Sequence, residues 1–193
     1  MTDTNERALA QRVLDFWLNP RDAKGEPLYR PEWFKRDEAL DAAIAARFGG
    51  AVMQAFDGGL DTMAGDVDGA LALVILLDQF PRNLYRGAAQ AFAGDKRALA
   101  LAKQIVAQGW DRDLPLYSRM FVYLPFEHSE NLADQEHAVQ LMGALGNDNL
   151  NKYATAHRDI IARFGRFPHR NAVLGRANTP EETEFLQQPG SSF

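Results

Sequence analysis

Apolar positions recur with helical spacing along almost the whole chain. Leu9, Val13, Phe16 and Trp17 fall at i, i+4, i+7 and i+8, one face of a helix. The segment 19–27, with two prolines, a glycine and mixed charge, reads as a loop. Asp37 is placed to cap a second helix, in which Leu40, Ile44, Phe48, Val52 and Phe56 recur every fourth residue. Gly49 and Gly50 lie inside that pattern and predict a bend. Residues 70–80, ALALVILLDQF, are apolar all round, which predicts a central buried helix closed by Pro81.

The periodicity continues. Asp95 opens a helix with Leu99, Ala102 and Val106 inward and Gly109 as its stop. Leu116, Met120, Phe121 and Leu124 mark a short helix expected to end at Pro125. Ser129 is the expected cap of the next, carrying Leu132, Val139 and Met142, and Asp148 that of the one after, carrying Tyr153, His157, Ile160, Ile161 and Phe164. Phe164-Gly165 reads as a helix stop, with Pro168 soon after. Thr179 to Glu182 is a capping box with Pro180 at the first helical position. The expectation is therefore an all-α single domain over 1–193, an array of antiparallel helix pairs, about eight to ten helices in number.

Composition adds exclusions. A net charge of −5 argues against a nucleic-acid binder. With no cysteine, disulfides, thiolate metal sites and a cysteine nucleophile are excluded. The polar, acidic start is unlike a secretory signal, and the longest apolar run, Ala70 to Leu77, is far short of a membrane span. A cytoplasmic protein that does not engage membranes is expected, and no metal motif or cofactor loop is present.

Three segments could carry chemistry. In 76–83, LLDQFPRN, Asp78 closes a very apolar stretch and needs a partner there, because an unpaired buried carboxylate is costly. Arg82 is close in sequence, and Arg166 or Arg170 could arrive from elsewhere. In 124–130, LPFEHSE, Glu127, His128 and Glu130 crowd together ahead of a helix, a set suited either to acid–base work or to simple helix capping. The third is 163–171, RFGRFPHRN. Between His157 and Arg176 stand five arginines and one acid, Asp159, so this segment is +4 while the rest of the chain sums to −9. Such a segment either neutralises buried acids or binds an anion. The echo of FPRN (80–83) in FPHRN (167–171) suggests two similar corners turning on proline.

These segments, with AFAGDKRALALA (91–102) and the stretch from His157 to Leu186, closely resemble the bacterial domain-of-unknown-function family 924, from Val13 almost to the C-terminus. The resemblance implies a tetratricopeptide-like all-α fold and no established reaction, so it brings no catalytic residues. The family pattern has a tryptophan near Met63, and this chain lacks one there.

Three functions remain open. The first is a binding module for a small anion or an acidic peptide end, gripped by Asp78, Arg82, Asn83, Arg166, His169, Arg170 and Asn171. The second is an acid–base or metal-assisted enzyme acting on a phosphorylated or carboxylated metabolite, with Glu127, His128, Glu130 and His157 as catalytic candidates. The third is a scaffold whose ion pairs lock helix corners while protein partners dock outside. His137, on the polar side of its helix, is expected to be uninvolved.

Overall fold

The computed structural model describes residues 4–192. Among them the regular structure is helical, with nine α-helical segments and no strand beyond one isolated bridge between Arg21 and Pro27. The chain divides into two compact units. Residues up to Arg86 with Gln90–Pro125 form the first, and Gly87–Ala89 with residues from Phe126 onward form the second.

The first unit holds α1 (Thr4–Leu18), α2 (Glu38–Phe56), α3 (Val67–Val74), α4 (Phe80–Leu84), α5 (Asp95–Gln108) and most of α6 (Leu116–Glu127). α3 packs on α1 and α5, and α2 packs on α4. The expected inward positions fill the core: Val13, Trp17, Ile44, Phe48 and Val52 are buried. Trp17 meets Phe80 and Phe121 at ring-centroid distances of 5.3 and 5.7 Å. Met63 is fully buried. Asp37 caps α2, accepting from the Leu40 amide at 2.9 Å. α2 runs unbroken through Gly49 and Gly50. On α5 the buried face is Ala98, Ala102 and Ile105, with Leu99 and Val106 at its margins.

Proline does not end the central helix. A π-helical turn, Ile75–Gln79, joins α3 to α4, so Pro81 sits inside a continuous helix that runs to Leu84. Proline has no N–H to give to the carbonyl four residues back, here Leu77. Widening to i→i+5 bonding accommodates this loss: the Phe80 amide reaches the Ile75 carbonyl. Gly94, ahead of α5, lies so close to the Leu77 carbonyl that an added Cβ would fall 2.2 Å from its oxygen. FPRN is therefore helical, not a corner. α6 likewise continues through Pro125 to Glu127.

The second unit holds α7 (Leu132–Gly143), α8 (Asp148–Phe164) and α9 (Pro180–Phe185). α7 and α8 pack together across the short connection 144–147, which returns the chain antiparallel. Two caps differ from expectation. Asn131, not Ser129, caps α7, and Asn147, not Asp148, caps α8, each accepting from amides in the first turn. Ser129 instead accepts from the Asn131 amide and donates to Asp134. On α7 the inward residues are Gln135, Ala138 and Met142, whereas Leu132 is exposed; on α8 Tyr153 is exposed while His157, Ile160 and Ile161 are buried. Gly165 ends α8 with φ +68°, a conformation that suits glycine. The capping box of Thr179 and Glu182 opens α9.

Candidate functional site

In the first unit, Asp78 lies on the π-turn and is fully buried. Arg82, one turn on, sets Nη1 3.3 Å from its Oδ1 and donates to its carbonyl oxygen, and Gln79 donates to Oδ2 at 2.5 Å. Nη2 of Arg82 reaches Asp95 at 3.1 Å. Burial alone would lower the Arg82 pKa, but Asp78 and then Asp95 raise it above its ordinary value. Asn83 donates to Asp41 at 2.7 Å, and Arg86 grips the same carboxylate. Burial pushes Asp41 up, yet the bonds from Arg86 and Asn83 leave it below its usual value. Arg82 and Asn83 thus hold carboxylates of their own unit.

The second unit gathers the other candidates. Phe167 is fully buried with Ile160 and Ile161. Around its ring stand His157 in an edge contact at 5.7 Å, His169 at 5.5 Å, and the Arg170 guanidinium at 4.5 Å. His128 lies 6.2 Å from His157, and its carbonyl accepts from Arg170 at 3.1 Å. His169 and Arg170 are presented by a single helical turn, Pro168–Arg170, which Pro168 initiates.

His157 is 6% exposed. Its Nδ1 lies 2.9 Å from the Tyr153 carbonyl and 3.0 Å from Glu127 Oε1. Burial, then the neighbouring charge of His128, lowers its pKa to about 3 against the opposing Tyr153 contact. Burial, then Arg170 and His128, lowers His169 to about 4. Both imidazoles are therefore uncharged at neutral pH.

The remaining arginines meet acids. Arg166 takes Glu182 through two bonds of 2.6 and 2.8 Å. That grip, with further bonds from the Thr179 amide and Asn171, holds the Glu182 carboxyl down at about 2. Arg176 takes Glu130 in the same forked way at 2.7 and 2.9 Å, and the Phe167 amide donates to Glu130 at 2.8 Å. Burial would raise Glu130, but these bonds bring it below its usual value. Arg163 pairs with Glu181, and Arg158 with Asp159. Asn171 is fully buried and donates to Asn178 at 2.8 Å and to Glu182 at 3.3 Å. Glu130 is therefore not a helix-terminal residue but a counterion.

Three contributors escaped the sequence reading. Gln135 is fully buried and donates to the Glu127 and Ser129 carbonyls, both at 2.6 Å, fixing the backbone that presents Glu127 and His128. Its place in the Gln135, Ala138, Met142 stripe was the available signal. Glu182 was visible only as a cap, and Phe167 only as part of the FPHRN motif. His137 packs against Phe126 at 5.0 Å, away from this group. Among the described residues, no group of three or more histidine or acid side chains could hold a metal ion, and no helix is long and apolar enough to cross a membrane. A cleft of about 270 Å³ in the first unit, edged by Arg7, Gln11, Asp66 and Asp68, holds none of the candidate residues.

An all-helical chain with these motifs fits the resemblance seen in its sequence. Residues 13–190 match the family described as bacterial protein of unknown function (DUF924), and the chain belongs to that family. It is also similar to the solved structure of a protein of unknown function from Agrobacterium tumefaciens. The two are 41% identical with a TM-score of 0.83, over 94% of this chain and 98% of the other. No curated protein matches.

Proposed function

We propose that this protein binds a small anion, the carboxylate or phosphate of a metabolite or an acidic peptide end, at the basic group of the second unit. The observation that carries the reading is the gathering of the His157 and His169 imidazoles and the Arg170 guanidinium about Phe167, with His128 beside His157, and with His157 and His169 discharged by burial and by neighbouring positive groups. Like charges held together favour an anion, whose arrival raises the histidine pKa values and draws in protons. The acids of the group are already engaged, Glu130 by Arg176 and Glu127 by His157. His128, His169 and Arg170 are the contacts, while Arg166 and Asn171 serve as frame through Glu182.

Inorganic phosphate, citrate and a short acidic peptide should each be added to the protein in thermal melts. Binding to the native state raises Tm. The shift should be larger at about pH 6 than at about pH 8, because imidazoles that the fold holds neutral take up protons with the anion more readily where protons are more abundant. His169→Asn should remove most of it. Absence of any shift, or a shift that His169→Asn and His128→Asn leave intact, would sink the proposal.

A second reading, acid–base catalysis on such a ligand, is favoured by the buried Glu127–His157 contact of 3.0 Å. It requires turnover that Glu127→Gln abolishes without unfolding the chain.

A further inference from the structure

α9 is attached unlike its neighbours. α7 and α8 bury Ala138, Met142, Ala154, Ile160 and Ile161, whereas the buried side chain of α9 is a carboxylate, Glu182. The apolar hold is Phe185, half-buried, its ring 4.9 Å from that of Phe164, with the Arg163 guanidinium over both rings at 4.6 and 5.7 Å. A six-residue helix has no stability of its own, so α9 stays folded only while docked. A segment that buries little apolar surface depends on its polar bonds, and such segments open locally before the whole unit unfolds.

Those bonds converge on one carboxylate. Arg166 reaches Glu182 through Nε and Nη2 at 2.6 and 2.8 Å, and Nη2 also donates to the Ala177 carbonyl at 2.9 Å. The Asn171 amide donates to Glu182 at 3.3 Å and to Asn178 at 2.8 Å. A guanidinium fork with an amide beside it is suited to any carboxylate, and here the chain's own acidic stretch 179–184, TPEETE, fills it. Arg163 pairs with the preceding acid, Glu181. From this geometry we infer that residues 177–186 form a detachable strap, and that Glu182 occupies an anion subsite on Arg166 and Asn171 which an acidic segment of a protein partner takes when the strap lifts. The strap itself shows what fits: two adjacent glutamates for Arg163 and Arg166, then an aromatic ring for Phe164. A small anion supplies the carboxylate alone. The subsite is distinct from the contacts proposed at His128, His169 and Arg170, and it stands or falls without them.

Hydrogen exchange in the full chain tests the strap. The Thr183 and Leu186 amides, bonded to the Thr179 and Glu182 carbonyls, should exchange at least roughly tenfold faster than those of Ile160 and Ile161 in α8. Glu182→Gln leaves Arg166 and Asn171 in place and removes the charge they hold. The strap amides should then exchange about tenfold faster again while α8 is unchanged. Strap amides as slow as those of α8 in the wild type overturn the inference. A fluorescent peptide copying residues 177–187 tests the subsite. It should bind full-chain Glu182→Gln roughly tenfold or more tightly than the wild type, whose own strap competes. The same peptide carrying Glu182→Gln should lose that binding. Equal binding to the two chains, binding that survives loss of the peptide's carboxylate, or no binding overturns the subsite. Displacement of the peptide by inorganic phosphate at the peptide's own concentration would place a small anion there and also overturns it. Should Glu182→Gln fail to fold, the wild type decides. Excess peptide should then speed exchange at Thr183 and Leu186 and leave Ile160 and Ile161 unchanged, and exchange that the peptide does not alter overturns the inference.

Discussion

His157, His169 and Glu182 give the second unit a shared sensitivity to acid. In an unfolded chain a histidine titrates near 6.5, whereas folded His157 is lowered to about 3 and His169 to about 4. Between those limits the unfolded chain binds protons that the folded chain refuses. The stability they contribute is thus fully present above 6.5 and is lost as the pH falls toward 4 and then 3. Glu182 moves from 4.5 to about 2, so its contribution is present above 4.5 and is lost as the pH falls through 2. Urea midpoints should decline from about pH 6.5 downward and more steeply below about 4.5. His157→Asn should roughly halve the decline between about pH 6.5 and 4.5, where His169 still contributes, and lessen it further down to about pH 3. A midpoint constant between pH 7 and 4.5 would mean that His157 and His169 are not held neutral by the fold. The sequence made the histidines visible but not their state. Burial, and the choice of Glu127 and Tyr153 as neighbours, depend on where residues 126–130 and α8 of the same unit come together. The arginines were legible as a surplus, while their counterions Glu130, Glu181 and Glu182 lie outside the basic segment and read locally as caps.

Among the helices, glycine substitutions at two places should act in opposite directions. Gly94 faces the Leu77 carbonyl in the π-turn, and a Cβ there would lie 2.2 Å from the oxygen. The obstacle is backbone inside a buried helix and cannot swing aside. Gly94→Ala should cost about 3 kcal/mol or more in urea unfolding. Gly49 and Gly50 lie within α2 with nothing within 4 Å of an added Cβ. Alanine at either should stabilise the chain by about 0.5–1 kcal/mol, because glycine loses more backbone freedom on folding. A neutral Gly94→Ala would show that the π-turn can relax, and the account of Pro81 would then be wrong. The helices themselves were legible because their apolar spacing is regular. Their ends at Pro81 and Pro125 were not. A proline usually breaks a helix, but a wider turn or tertiary packing can absorb the missing hydrogen bond, and the chain's local pattern carries no sign of which occurs. The caps at Asn131 and Asn147 were misplaced for a related reason: Asn131 and Ser129, or Asn147 and Asp148, are equally good capping residues, and only backbone dihedrals choose between them.

For the molecule as a whole, a net charge of −5 conceals a strongly basic stretch whose charge is mostly neutralised by carboxylates of its own unit. This turns the functional question away from the conspicuous arginines and toward the histidines beside Arg170. Family membership supplies the fold and no reaction, so the site must be judged on its chemistry. The chain has four histidines: His157 and His169 against Phe167, His128 beside His157, and His137 apart from them against Phe126. They provide an internal control. Histidine ring resonances should be followed by NMR while inorganic phosphate is added at about pH 6, where ordinary imidazoles and phosphate are both near ionisation. The account predicts that His128, His157 and His169 move together and saturably while His137 stays still. Movement of all four in parallel, or of none, would contradict it.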